Sequence, residues 1–332
     1  MQKDLAMPHK TEICVVTPLL PAVRDLIAGR RPANFTELDL PIDAEQLVRC
    51  CDGSSILIVS AREKIDRRVI EAIPSSVRVL ATYSAGYDHI DLAAAAERGL
   101  IVLNTPDALS DAVAEVAILL MLGAARRATE AIALLRAGNW EGWSPVQLPG
   151  IQISHRRLGI YGMGRIGRRV GDFARGFGMS VHYTGRHRLT PELEADTVWH
   201  ANEREFLEAA DVLVLACAAT DETRGYLNAD RLACLGSSSI VVNVARGTVV
   251  DDDALIAALS SRQIAAAGLD VYNGEPAIDP RYLALPNAFL LPHIGSSTVT
   301  ARLAMAAALL DGLDALDAAM MPANLVMHSP ER

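Results

Sequence analysis

Residues 158–161, Leu-Gly-Ile-Tyr, run without a spacer into Gly162-Met163-Gly164-Arg165-Ile166-Gly167, and a helical stretch over 168–177 follows at once. A buried strand, a glycine turn and a helix in immediate succession specify a parallel βα unit. Gly162 permits the tight turn, Gly164 lets the backbone approach a pyrophosphate, and Gly167 lets the helix pack close to the strand. The N–H groups at the helix start then face the anion. A bare G-x-G-x-x-G is a common accident. Between a strand and a helix it predicts a dinucleotide site built from Gly162, Met163, Gly164, Arg165, Ile166 and Gly167.

The rest of the chain repeats the βα theme. Short β-rich and helical runs sit side by side at 13–17, 41–50, 56–60, 67–72 and 77–83, and strands recur at 157–161, 180–183, 212–216, 240–244 and 266–271. Between these groups lies a buried helix at 111–125, after Asn104-Thr105-Pro106, where proline disfavours a helical residue before it. A loop with glycine and tryptophan spans 138–150, and an Ala- and Leu-rich helix at 298–319 is too short to be a domain and is expected to pack back on the N-terminal part. With 332 residues the chain exceeds what one core usually supports. Two domains are expected, with the ligands in a cleft between them.

Bulk properties exclude several function classes. A net charge of −9 opposes general attraction to nucleic acid or to an anionic membrane surface. No early stretch has the layout of a secretion signal, and no apolar run approaches the roughly 20 residues of a membrane span, so the cytoplasm is the expected location. Cys14, Cys50, Cys51, Cys217 and Cys234 lack paired ligand spacing. They are read as reduced thiols, and no metal is expected.

Two features bear on the cofactor and the chemistry. An NAD-preferring site usually ends its second strand in Asp or Glu, which binds the ribose hydroxyls and repels a 2′-phosphate. Here the strand at 180–183 runs into Thr184-Gly185-Arg186-His187-Arg188, a small polar turn with two arginines. NADPH is therefore expected over NADH, with Thr184, Gly185, Arg186 and Arg188 around the phosphate; the alternative is a merely solvated basic turn. Further on, Asn243-Val244-Ala245-Arg246-Gly247, Asn273-Gly274-Glu275-Pro276 and Pro292-His293-Ile294-Gly295 each place a polar or charged group beside a strand end. Arg246 would grip a carboxylate through its planar fork, and His293 would exchange a proton with a carbonyl oxygen as hydride moves to carbon. Glu275 would stabilise the imidazolium and hold one ring orientation. Taken singly these are a surface arginine, a loop carboxylate and a strand-end histidine; in this order after a glycine loop they are the parts needed to reduce a 2-oxo acid.

The chain resembles the D-isomer-specific 2-hydroxyacid dehydrogenases, most nearly their glyoxylate/hydroxypyruvate reductases. The stretches that carry the resemblance are 84–91 (SAGYDHID), 104–117 (NTPDALSDAVAEVA), 161–167 (YGMGRIG), 243–251 (NVARGTVVD), 268–271 (GLDV) and 291–297 (LPHIGSS). It implies an α/β chain of two doubly wound parallel-sheet domains. A central Rossmann dinucleotide-binding domain would span 105–293, and a discontinuous flavodoxin-like substrate-binding domain 1–104 and 294–332. It also implies that backbone amides at Ala85 and Gly86 meet the substrate carboxylate opposite Arg246 and that Asp270 and Gly295 help hold the nicotinamide end, with Val244 among the cofactor contacts and His293 and Trp143 among the substrate contacts. Taken bare, Asp270 reads as a strand-end cap and Ala85-Gly86 as an ordinary turn. Thr184-Gly185-Arg186 resembles the phosphate-reading turn of NADPH-using members. Trp140 and Trp143 resemble a loop that crosses to the partner subunit in these dimers and shapes its substrate pocket, the alternative being packing in a core or interface. Cys-Ala-Ala at 217–219 replaces a more polar stretch of relatives, so cofactor hydrogen bonds are not expected there.

The function expected from sequence is NADPH-dependent reduction of glyoxylate or hydroxypyruvate in a homodimer. Two rivals remain at this point: an NADH-dependent dehydrogenase for a bulkier 2-oxo acid, and a nucleotide-sensing, corepressor-like binding protein.

Overall fold

The computed structural model describes residues 13–36, 44–51, 53–194 and 196–326; parts of the runs at 41–50 and the chain from 327, including His328, lie outside them. The described residues fall into two compact units, one running to Leu109 and resuming at Ser296, the other running from Ser110 to Gly295.

In the first unit, β1 (Ile13–Val15), α1 (Pro21–Arg30), β2 (Ala33–Phe35), α2 (Ala44–Cys51), β3 (Ile56–Val59), α3 (Arg67–Ala72), β4 (Val79–Thr82), α4 (Leu92–Glu97) and β5 (Ile101–Leu103) alternate along the chain. Every strand pair is parallel and the sheet order is β2-β1-β3-β4-β5, the flavodoxin order. Strands β3 and β4 are fully buried, as a sheet covered by helices on both faces requires. Asp66 and Asp91 cap α3 and α4 by accepting from the N–H of Val69 and Ala94. The C-terminal helix Val299–Asp317 docks on α1, where Arg31 donates to Asp317 at 2.7 Å and Arg30 to Asp311 at 2.9 Å.

The second unit begins with α5 (Ser110–Ala125) and α6 (Ala128–Arg136). After a loop come β6 (Arg157–Tyr161), α7 (Arg165–Arg175), β7 (Ser180–Thr184), α8 (Pro191–Glu194), β8 (Val198–Trp199), α9 (Glu203–Ala209), β9 (Val212–Leu215), α10 (Ala229–Ala233), β10 (Ile240–Asn243), α11 (Asp252–Ser260), β11 (Ala266–Leu269) and β12 (Ala288–Leu290). The seven-stranded sheet has the order β12-β11-β10-β9-β6-β7-β8, all parallel, which is the Rossmann order with one added strand. Its register aligns the carboxyl ends. Tyr161 pairs with Thr184 and with Leu215, Leu215 with Asn243, Asn243 with Leu269, and Leu269 with Leu290. That row is a rim, and the glycine loop, the arginine turn and the segments of Arg246, Asp270 and His293 all leave from it.

Four strands that the sequence pattern leaves undelimited are β2, β5, β8 and β12, and each is an edge of its sheet. Helices α1, α4, α6, α8, α9, α10 and α11 are likewise undelimited by the pattern, α6 carrying no fully buried residue.

Candidate active site

Three of the glycine-loop residues have distinct duties. Gly162 has φ +99, and a Cβ there would lie 2.6 Å from Cys217 Cα; at Gly167 a Cβ would lie 2.3 Å from the carbonyl oxygen of Gly162. Both positions exclude any side chain. At Gly164, which caps α7, a Cβ would meet nothing within 4 Å, so the protein itself does not require glycine. The first bond of α7 is from Arg168 N–H to the Gly164 carbonyl, leaving the N–H groups of the first turn for a ligand. Arg165 is exposed and Ile166 half-buried, whereas Met163 is buried. An uncapped helix N-terminus behind an open glycine fits a pyrophosphate.

The two arginines beyond β7 differ. Arg188 is committed to Glu194, with Nη2 to Oε2 at 2.8 Å, and the same carboxylate accepts from the Tyr183 hydroxyl at 2.5 Å. Arg186 is exposed and makes no such pairing among the described residues. Thr184 is buried; its hydroxyl donates to the His200 carbonyl at 2.8 Å and its carbonyl accepts from Gly162 N–H at 3.0 Å, which ties the turn to the glycine loop. A guanidinium with no partner among the described residues, beside a strand end lacking a carboxylate, fits a 2′-phosphate.

Arg246, Glu275 and His293 come from three separate rim segments of this unit. Asn243 shapes the first, accepting from Ala245 N–H at 3.0 Å and donating to the Arg246 carbonyl at 3.0 Å. Gly247 is pressed so closely on the next segment that a Cβ would lie 1.8 Å from the Tyr272 carbonyl carbon. Glu275 is held in turn, with Oε1 accepting from Tyr272 N–H at 2.7 Å and Oε2 lying 2.7 Å from His293 Nδ1. Burial works against ionising Glu275. The hydrogen bond and charge of His293, the Tyr272 N–H and the charge of Arg246 outweigh it and hold the carboxyl below its ordinary range. An ionised carboxylate only accepts, so Nδ1 of His293 carries the proton and Nε2 is the position left for exchange. The imidazole is 41% exposed, which leaves it reachable.

Asp270 supports His293 from below. Its carboxylate is buried and accepts from Ile294 N–H and Gly295 N–H, both at 2.8 Å, fixing a turn in which His293 has φ +53. Burial pushes the Asp270 pKa up, partly offset by those two amides. Val244 is buried, its N–H bonded to the Leu215 carbonyl at 3.2 Å.

In the first unit, Ala85 and Gly86 follow β4 in a turn whose carbonyls are all engaged. Ser84 O accepts from Thr105 N–H at 2.9 Å, Ala85 O from Asn104 Nδ2 at 2.8 Å and Gly86 O from Ser84 Oγ at 2.6 Å. Trp143 is 84% exposed in its own chain, so core packing is excluded for it, and Trp140 and Val146 beside it are exposed as well. Asn104, Asn243, Gly247 and Tyr272 escaped sequence reasoning as positioning residues; a polar residue closing an apolar strand run was the available signal at Asn104 and Asn243. Among the described residues no cluster of His, Cys, Asp or Glu is arranged to hold a metal, and no helix is long and apolar enough to cross a membrane.

Residues 118–295 match the family model described as D-isomer specific 2-hydroxyacid dehydrogenase, NAD binding domain. A glycerate dehydrogenase of Hyphomicrobium methylovorum is 39% identical over 280 residues, 84% of this chain and 87% of the relative. A glyoxylate reductase of Thermococcus kodakarensis is 40% identical over 290 residues, 86% of each chain. Among solved structures, a putative D-isomer specific 2-hydroxyacid dehydrogenase of Polaromonas superposes with TM-score 0.90 at 42% identity, covering 96% of this chain and all of the other (100%). An NADPH-dependent glyoxylate/hydroxypyruvate reductase of Sinorhizobium meliloti, in complex with NADP and malonate, superposes with TM-score 0.84 at 33% identity, covering 96% and 97%.

Proposed function

We propose, because this chain is a member of the D-isomer-specific 2-hydroxyacid dehydrogenase family, that it reduces glyoxylate or hydroxypyruvate with NADPH, giving glycolate or D-glycerate. The observation that carries this reading is the His293–Glu275 pair at 2.7 Å, within the electrostatic reach of Arg246 and on the same rim as the glycine loop. The family's activity fits that pair, and relatives named for glyoxylate and glycerate point to small acids.

Bound NADPH supplies the hydride for the carbonyl carbon. The chain's own residues do the rest. First-turn amides of α7 and the Gly162–Gly167 loop hold the pyrophosphate, while Thr184, Gly185 and Arg186 take the 2′-phosphate; Arg188 stiffens that turn through Glu194. Arg246 grips the substrate carboxylate as a fork, and the amides of Ala85 and Gly86 serve the same anion. His293, as the imidazolium that Glu275 stabilises, gives the proton on Nε2 to the carbonyl oxygen, and Asp270, through the amides of Ile294 and Gly295, fixes the ring's position. Val244 and Gly295 line the nicotinamide end. The working form is a cytoplasmic homodimer in which Trp143, exposed in one protomer, is covered by the other.

A panel of glyoxylate, hydroxypyruvate, pyruvate and branched 2-oxo acids, each with NADPH and with NADH and followed by loss of reduced-nicotinamide absorbance, tests this. The expected result is highest kcat/KM for the two small acids with NADPH. Preference for a branched acid or for NADH would overturn it.

A further inference from the structure

We infer that Thr82, Ser84 and His89 form a one-way hydrogen-bond relay that fixes which way the Ser84–Tyr87 peptides face, making His89 a positioning residue for the substrate carboxylate. The role assigned to the Ala85 and Gly86 amides rests on the function proposed above; the relay itself rests on geometry.

The carbonyls of Ser84, Ala85 and Gly86 are each taken by a donor of the same unit, respectively Thr105 N–H, Asn104 Nδ2 and Ser84 Oγ. In a trans peptide the next N–H points opposite to the carbonyl. Anchoring three successive carbonyls therefore turns the N–H groups of Ala85, Gly86 and Tyr87 the other way, and none of these three donates to a backbone carbonyl among the described residues. Consecutive free amides of this kind form an anion-binding concavity.

Two of the three anchors are ordinary. The third is held from behind. Ser84 Oγ lies 2.6 Å from the Gly86 carbonyl and 2.7 Å from Thr82 Oγ1, and Thr82 Oγ1 lies 2.9 Å from His89 Nε2. Each hydroxyl has one proton to give. The Gly86 carbonyl can only accept, so Ser84 spends its proton there and must accept from Thr82. Thr82 has then spent its own proton and must accept from His89, which must carry hydrogen on Nε2. With a bare Nε2 the direction would reverse: Thr82 would donate to the ring, Ser84 to Thr82, and the Gly86 carbonyl would lose its anchor. Thr82 is fully buried at the end of β4, so its hydroxyl pairs with Ser84 and His89 rather than with solvent.

The full-length protein labelled with 15N-histidine, with the His89 resonance assigned by its loss in His89→Gln, reads the relay directly. Hydrogen on Nε2 is expected; a bare Nε2 would overturn the inference. In kinetics, Ser84→Ala removes the hydroxyl that anchors the Gly86 carbonyl, whereas His89→Gln keeps a donor facing Thr82. Ser84→Ala should raise KM for glyoxylate about tenfold, the scale of one lost buried hydrogen bond, with kcat and NADPH affinity held, and His89→Gln should stay near wild type. Unchanged KM for Ser84→Ala, or a parallel loss of NADPH affinity, would overturn it. Calorimetric titration of oxalate into the NADP-bound protein reads the same amides without turnover. No reduction of any 2-oxo acid, with oxalate binding still weakened by Ser84→Ala, would count against the proposed function and leave the relay standing.

Discussion

Nδ1 of His293 lies 2.7 Å from Oε2 of Glu275, although 18 residues separate them and His293 reaches that position only with a left-handed backbone. The contact decides which imidazole nitrogen is free for chemistry. His293→Ala should lower kcat by about 10²–10⁴, the usual worth of a positioned acid–base group, while NADPH binding, read by nicotinamide fluorescence, stays unchanged. Undiminished turnover would remove His293 from the mechanism.

Glu275 is held below the ordinary glutamate value of 4.5, so its ionised form is the one the fold favours. A depressed folded-state pKa gives stability that is complete above the unfolded value and is lost as pH falls through the folded value. The gap in melting temperature between wild type and Glu275→Gln is therefore expected to be full at neutral pH and to close as pH drops below about 4.5. Thermal melts across that range check it; a gap that widened on acidification would contradict the assignment.

Arg186 and Arg188 sit two residues apart with different commitments, the second being paired to Glu194 at 2.8 Å. Arg186→Ala should weaken NADPH binding by about 10- to 100-fold, the scale of charge-assisted hydrogen bonds, and leave NADH nearly untouched. Arg188→Ala should act more weakly and on both cofactors alike, by loosening the turn. Fluorescence titrations of the two variants with both reduced cofactors separate these outcomes.

Gly164 and Gly247 are both glycines on the rim, yet only one is required by the protein's own packing. A Cβ at Gly247 would fall 1.8 Å from the Tyr272 carbonyl carbon, whereas one at Gly164 meets nothing within 4 Å. Gly247→Ala should destabilise by about 3 kcal/mol or more, seen as a lowered urea midpoint. Gly164→Ala should fold normally and lose cofactor affinity.

Trp143 presents a large apolar ring that its own chain does not cover. Sedimentation equilibrium should report a dimer for the wild type and a weaker one for Trp143→Ala, with no change in the secondary-structure spectrum. A monomeric wild type would refute the assembly.

Much of this protein was legible from its residues. Fully buried parallel strands such as β9 and β10 are continuous apolar runs, and a glycine loop between a strand and a helix names its ligand class, because both signals are local: they depend on side chains that are neighbours in sequence. The edge strands β2, β5, β8 and β12 carry two or three residues each, too few to show a period; they exist because an already formed neighbour offers its backbone.

What the residues determined by themselves was the βα alternation, the dinucleotide loop and the inventory of an arginine, a glutamate and a histidine. Only the tertiary structure decided their use. It spent Arg188 on Glu194 and kept Arg186 unspent, aimed Glu275 at one nitrogen of His293, and set the direction of hydrogen bonding from His89 to Gly86. The physical reason is common to all of these: a hydrogen bond is fixed by distance and direction between groups far apart in the chain, and the sheet register that brings them together is a property of the folded whole.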